Sequence, residues 1–395
     1  MNLARLTSFV RTGLGVLHGS RAFGGPVQAN LILTNRCNIR CIHCYHYSPH
    51  ATLANLPEVR GMRRRGEALP TTEEMAQMQR LVANTARTHA LMDEMIRMGT
   101  RSFQLSGNGE PFTHPDFLEF VGRAKRAGCS TNTNTNGTLL SREVCDELLR
   151  VGFDDLRVSM MAGTAPVYAR THPGCRADQF ERLRESFLYL AERKDALRKS
   201  RPKVNLTFVL MGPNHDDVLN FARFAAEVKA DGVIYRVIDA VGDPGLEAVI
   251  PTAEQADHTR AELKEADRFL ASRGLASNVP NALGAFGERI ETAELYRRIP
   301  CYYGWLATRV EVNGDVFPCC RCYAMMGNAH NQDFHDVWHG AAYRQFRREA
   351  GAMNRRKTPV SGCDCAHCVH FNANLRAHRL MHPFARTGGI NPRAH

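Results

Sequence analysis

Cys37, Cys41 and Cys44 stand in the pattern C-x3-C-x2-C within Thr34–Tyr45, at the end of an apolar run. Three thiolates from one tight loop can hold three irons of a cubane cluster and leave the fourth iron open to a small molecule. A single zinc ion is the competing reading. Zinc normally takes four ligands; the next cysteine is Cys129, so His43, His46 or His50 would have to complete such a site. A second group, Cys301, Cys319, Cys320, Cys322, Cys363, Cys365 and Cys368, lies near the other end of the chain. Cys301 and Cys319 bracket a hairpin signal at Asn313-Gly314, and Cys365-x2-Cys368 returns a pair from far along the sequence. A zinc ribbon competes for this region as well.

The first motif, with Tyr45 next to it, resembles the cluster motif of the radical S-adenosylmethionine superfamily. That resemblance implies a [4Fe-4S] cluster on Cys37, Cys41 and Cys44 and S-adenosylmethionine on its open iron. An electron from the cluster then cleaves the sulfonium to a 5'-deoxyadenosyl radical. The later cysteines resemble the auxiliary-cluster module of these enzymes, SPASM or its shortened form, Twitch. At least one auxiliary [4Fe-4S] cluster on Cys301, Cys319, Cys365 and Cys368 is implied. Cys320, Cys322 and Cys363 are left to join a second cluster, replace one of the four, or stay inert.

Ser106-Gly-Asn-Gly-Glu-Pro111 occupies the place of the family's Gly-Gly-Glu-Pro turn, with Asn108 in place of a glycine. By resemblance Gly107, Gly109 and Glu110 receive the cofactor's ammonium. Asn132, Asn134 and Asn136 alternate, so all three share one strand face. The family's ribose and carboxylate contacts point to Asn134, Asn136 and Ser159, beside Tyr45. Arg236 can pair a carboxylate or phosphate of cofactor or substrate, or serve a structural ion pair. Cys175, after the fourth strand, is a candidate hydrogen-atom donor. Cys129 and Cys145 read as small core residues. His46 and His172 can act as acid or base, with no partner legible in the sequence.

The elements that must position these groups alternate. A buried strand over Gln28–Leu33 delivers the cysteine loop. Residues 46–70, broken by Pro49, Pro57, Gly61, Gly66 and Pro70, read as a long functional loop. Thr71 or Thr72 caps a helix from Glu73 towards Met98. Strands over 101–105, 130–135, 156–160, 204–211 and 233–238 then alternate with helices over 115–127, 141–151, 178–198 and 214–229. Such alternation predicts a parallel sheet with right-handed crossovers. The expected fold is α/β, a partial (βα)6 barrel with a small C-terminal β-hairpin/α cluster-binding module; a full eight-unit barrel is the runner-up. The expected division is an amphipathic N-terminal extension (1–26) packing on the body, the barrel (27–240), a linker and helix (241–300), the auxiliary module (301–370) and a tail (371–395).

Thirteen cysteines in two clusters, without a signal peptide, point to metal or cluster ligation in a reducing cytoplasm rather than to disulfides. No apolar run reaches 18 residues, so no membrane span is expected. The net charge of +11 comes partly from arginine runs that most often form solvated faces and can also steer an acidic substrate, such as a phosphorylated or nucleotide-linked one. The expected activity is a radical S-adenosylmethionine oxidoreductase that abstracts hydrogen from a sugar, aminocyclitol or nucleotide-like molecule. Dehydrogenation, epimerisation, decarboxylation and bond formation all stay open. The alternative substrate is a ribosomally made peptide. Only 36 residues precede Cys37, too few for a fused leader-recognition domain of about eighty residues, which tips the expectation to the small molecule. An electron donor such as flavodoxin or ferredoxin is the expected partner, and nucleic acid is not. A non-catalytic zinc or iron-sulfur protein is the reading from another class.

Overall fold

The computed structural model describes residues 3–52, 57–238, 244–286, 296, 298–365, 368 and 370–382. Six strands, β1 (Gln28–Ile32), β2 (Ser102–Ser106), β3 (Ser130–Thr135), β4 (Asp155–Ser159), β5 (Lys203–Leu210) and β6 (Gly232–Val237), pair in parallel and in chain order. A short β7 (Ala276–Ser277) continues the sheet beyond β6. This is the expected partial barrel. Within β3, Thr131, Thr133 and Thr135 are buried while Asn132 and Asn134 occupy the less buried face. Arg157 and Ser159 on β4 share that face by register.

The hairpin forms as expected, but it does not stand apart. β8 (Ala307–Val310) pairs in parallel with β1, and β9 (Asp315–Phe317) and β10 (Gly327–Asn328) follow antiparallel, giving one ten-stranded sheet. Adding β8 beside β1 places the auxiliary cysteines on the flank of the first cysteine loop. The N-terminal helix, Leu3–His18, also meets this region: a Cβ on Gly15 would lie 2.8 Å from the Trp305 ring, and Trp305 donates its indole N–H to the Arg21 carbonyl at 2.8 Å. Its expected apolar stripe is not what packs. Val10, Leu14 and Leu17 remain exposed.

Several expected elements are corrected. Residues 46–70 are not all loop, for a helix spans Pro57–Arg65. The residues read as breakers bound it: Pro57 opens the helix, and Gly66, at φ +71°, follows its end. The single helix expected up to Met98 is two, Thr72–Met78 and Thr85–Met98, the first capped by Thr71 and the second by Asn84. The break is used: Asn35 N–H donates to Leu81 O at 2.9 Å and Ala83 N–H to Leu33 O at 2.8 Å, bracing the start of the cysteine loop. Helices Ala165–Thr171 and Val279–Phe286 and the C-terminal helix Phe371–Met381 were not anticipated. Parts of the expected linker and the tail beyond residue 382 lie outside the described residues.

Candidate functional site

The three cysteines of the first loop sit just beyond the C-terminal end of β1, where parallel α/β sheets place their chemistry. Hydrogen bonds fix the loop from three sides. Thr34 Oγ1 accepts from Arg36 N–H (2.9 Å), Ile42 N–H donates to Thr171 O (3.1 Å), and Tyr47 OH donates to Asn35 O and to Gln79 O (2.8 Å). Burial pushes the Cys37 thiol up to about 11, Cys41 well above its ordinary range and Cys44 upwards, and the mutual proximity of the thiols adds to Cys37 and Cys41. Three buried thiolates therefore need positive charge, which iron would bring. Donors already face the sulfurs: Asn136 Nδ2 lies 3.9 Å from Cys37 Sγ, and His46 N–H 3.4 Å from Cys44 Sγ. Among the described residues no three His, Cys, Asp or Glu side chains crowd one point as ligands of a single ion do. Three thiols from one loop, two of them faced by N–H donors, fit the ligand set of a cubane with one open iron.

The Gly107–Glu110 turn packs against this loop backbone to backbone. Gly109 N–H donates to Thr34 O (3.2 Å) and Glu110 N–H to Arg36 O (2.8 Å). A Cβ on Gly109 would fall 1.9 Å from Arg36 O, and one on Gly107 2.8 Å from Thr34 O. Close approach of the cysteine loop is thus what these glycines permit. The expected role of Glu110 needs correcting. Its carboxylate is held by Thr135 Oγ1 (2.6 Å), Asn136 N–H (2.7 Å) and Phe112 N–H (3.2 Å), and burial raises it to about 7. It ties the turn to the end of β3 rather than standing ready for an ammonium.

Asn136 also departs from its expected place. Its amide is spent on Cys37, on Asn38 Oδ1 (2.9 Å) and on Thr138, so it buttresses the cysteine loop. Asn134 stays exposed on the open strand face and Ser159 half-buried on the same face of β4, where both can reach a ligand in the lumen. Arg236, near the end of β6, makes no hydrogen bond or ion pair among the described residues. Cys175 lies beside Cys41 and Tyr168. His172 stacks on Tyr168 at 4.2 Å. Cys129 and Cys145 are buried in the core, as expected.

Asn108, the residue in place of a glycine, is a hub that sequence reasoning missed. Its Nδ2 faces Asn35 Oδ1 (3.0 Å), Glu58 Oε1 (2.8 Å) and Glu311 Oε2 (3.1 Å), and its Oδ1 accepts from Arg309 Nη2 (2.8 Å). Two amide protons cannot serve three acceptors at once. Arg309 pairs with Glu311; burial would lower the guanidinium, but that carboxylate outweighs it and raises it. His46 stands 3.9 Å from Glu58, the partner the sequence did not reveal, and burial lowers the imidazole to about 4, so it is neutral at pH 7. Burial in turn raises Glu58.

Cys301, Cys319, Cys365 and Cys368 line one small cavity with Tyr296, Tyr303 and His370. Burial, reinforced by neighbouring thiols, raises Cys301 and Cys319 well above their ordinary range and Cys365 to about 11. Tyr296 Oη lies 3.1 Å from Cys368 Sγ. Four half-buried cysteines lining one cavity are the number of ligands that a fully ligated cluster takes. Cys322 and Cys363 do not join them: they are bonded to each other, contrary to the expectation that disulfides are absent, because an antiparallel bridge sets them face to face. Cys320 is not among the residues lining that small cavity. Its Sγ is 3.2 Å from His370 Nε2, and it fronts a larger cavity of about 380 Å³. Tyr45 and His46 line one part of that cavity, and Cys319 and Cys320 another. Cys175 is not among its lining residues.

No helix among the described residues is long and apolar enough to cross a membrane. Comparison with known proteins adds two family matches: the radical SAM superfamily over residues 31–225 and an iron-sulfur cluster-binding domain, SPASM, over residues 301–369. A PqqA peptide cyclase of Streptomyces rochei is 26% identical over 388 residues, spanning 94% of this chain and 91% of that protein. An AdoMet-dependent heme synthase of Methanosarcina barkeri is 26% identical over 327 residues, 80% of this chain and 83% of that protein. Among solved structures, Streptococcus suis SuiB bound to precursor peptide SuiA matches in fold with a TM-score of 0.59 at 16% identity, covering 89% of this chain and 74% of that one.

Proposed function

Because the chain belongs to the radical SAM superfamily and carries a SPASM iron-sulfur domain, we propose that it is a maturase that modifies a ribosomally made peptide by hydrogen abstraction and oxidation. The observation that carries this reading is one cavity reaching from the flank of the Cys37–Cys44 loop to Cys319 and Cys320. A substrate held there would lie beside Tyr45 and His46 of the first cysteine loop and against Cys319 and Cys320. What favours a peptide over the small molecule expected from the sequence is the likeness to peptide cyclases along 94% of the chain. The heme synthase likeness runs along only 80%.

Cys37, Cys41 and Cys44 would hold the first cluster, and Cys301, Cys319, Cys365 and Cys368 the auxiliary one. When bound, the first cluster supplies the electron that cleaves S-adenosylmethionine to a hydrogen-abstracting radical. The chain's own residues do the rest. Asn136 and the His46 amide direct N–H groups at thiolate sulfurs and steady their charge. The Gly107–Gly109 backbone and Tyr45 border the space beside the loop, and Asn134 and Ser159 offer polar contacts from the strand ends. Helix Pro57–Arg65 closes the cavity against the hairpin, with Arg65 Nη1 donating to Tyr323 O at 3.1 Å. Exclusion of water there protects a reactive carbon radical.

The test is anaerobic incubation of the iron-reconstituted enzyme with S-adenosylmethionine, a reductant and synthetic copies of the short open reading frames that flank its gene. A product lacking two hydrogens, formed only with the cofactor, is expected. An unaltered peptide in a reaction that yields 5'-deoxyadenosine would sink the peptide reading.

A further inference from the structure

Helix Pro57–Arg65 brings to the cavity a cation without an ion-pair partner among the described residues. Arg60 makes no hydrogen bond and no ion pair among the described residues, and its Nε is buried without a partner. Its guanidinium carbon stands 5.2 Å from the centre of the Tyr45 ring, and the residue lines the cavity that reaches Cys319 and Cys320. The three other arginines there are already committed: Arg65 to Glu67 and the Tyr323 carbonyl, Arg309 to Glu311 and Asn108, and Arg321 is engaged as well. A buried donor left without an acceptor costs about 1–3 kcal/mol. Arg60 is therefore built to be completed by something that enters.

The chemistry of the entrant follows from the surroundings. A guanidinium lying against an aromatic ring keeps its planar fork of N–H donors for a flat, bidentate acceptor. Glu58, Glu311 and Asp315 line the same cavity, and their charge opposes a dianionic phosphate more than a singly charged carboxylate. We propose that Arg60 is a subsite for a carboxylate of the substrate, an Asp or Glu side chain of the peptide, set beside the first cysteine loop. This rests on the peptide reading above. The carboxylate of S-adenosylmethionine itself is the other source of the same group.

Two arms separate the sources, both on reconstituted enzyme as wild type, Arg60→Gln and Arg60→Lys. In one, dissociation constants are measured for N-acetyl-glutamate amide and N-acetyl-glutamine amide; in the other, for S-adenosylmethionine. The wild type should prefer the glutamate about tenfold. Arg60→Gln should abolish that preference, Arg60→Lys should keep part of it, and cofactor affinity should stay within about twofold. Absence of the preference in the wild type, its survival in Arg60→Gln, or a parallel loss of cofactor affinity would each overturn the proposal. If Arg60→Gln does not hold iron, Arg60→Lys alone decides: a preference equal to that of the wild type refutes the bidentate subsite. A peptide modified normally while no glutamate preference exists would reject the subsite and leave the peptide reading standing. An unmodified peptide with the preference intact would do the reverse.

Discussion

Gly109 has no room for a side chain, since a Cβ would come within 1.9 Å of a backbone carbonyl of the cysteine loop. Backbone cannot yield as a flexible side chain does, so Gly109→Ala must displace Arg36 and the neighbouring Cys37. Iron analysis should find that variant short of the first cluster, with about four irons per chain left at the auxiliary site. Gly13→Ala, where no atom lies within 4 Å of the added carbon, should retain the full complement. At this scale the spacing of Cys37, Cys41 and Cys44 was legible because all three ligands belong to one loop. The Asn108 hub was not. Its partners Asn35, Glu58, Arg309 and Glu311 come from segments up to 203 residues away, and no local pattern encodes such a meeting. Glu110 was legible as an acid in the right turn, but its commitment to Thr135 and Asn136 depends on how β2 and β3 align.

At the scale of elements, strands and crossover helices were readable from periodicity because the strands are buried on one face and half-buried on the other. Helix Pro57–Arg65 was not, since its Pro and Gly serve as start and stop rather than as interruptions. Asp154, just before β4, shows how the strand bottoms are tied. It accepts from Lys125 Nζ (2.6 Å), from Thr131 N–H (2.9 Å) and from Arg201. Burial would raise its carboxyl, but Lys125, Thr131 and Arg201 together hold it below the ordinary 3.8. A depressed acid contributes stability that is present above pH 3.8 and lost as pH falls through its folded value. Asp154→Asn should therefore cost about 3 kcal/mol at neutral pH. Its urea midpoint should also fall less steeply than the wild type's below about pH 4, as unfolding curves over a pH series would record. Equal slopes would show that Asp154 does not carry the effect.

For the whole molecule, the sequence suggested an appended module, whereas β8 beside β1 makes the cysteine-bearing hairpin part of the barrel's own sheet. A pairing between residues 28–31 and 307–310 has no local signature, so only the hairpin turn itself was legible. Other ties cross the same seam: Trp338 donates to Gly24 O at 2.8 Å, and Glu94 accepts from Phe334 N–H (3.1 Å) and His335 N–H (2.6 Å). Calorimetry of the intact protein should show one cooperative transition for barrel and module together. A chain ended at Pro300 should aggregate, because it bares the edge of β1. Two separated transitions would contradict this coupling.

Seven cysteines would form two separate iron sites, Cys37, Cys41 and Cys44 holding one and Cys301, Cys319, Cys365 and Cys368 the other. Iron and 5'-deoxyadenosine should be measured on the reconstituted wild type and on a Cys37, Cys41 and Cys44 triple alanine variant, with S-adenosylmethionine and a reductant present. About eight irons are expected in the wild type, and about four irons with no 5'-deoxyadenosine in the variant. A variant that keeps about eight irons, loses all of them, or still cleaves the cofactor would contradict the two-site assignment.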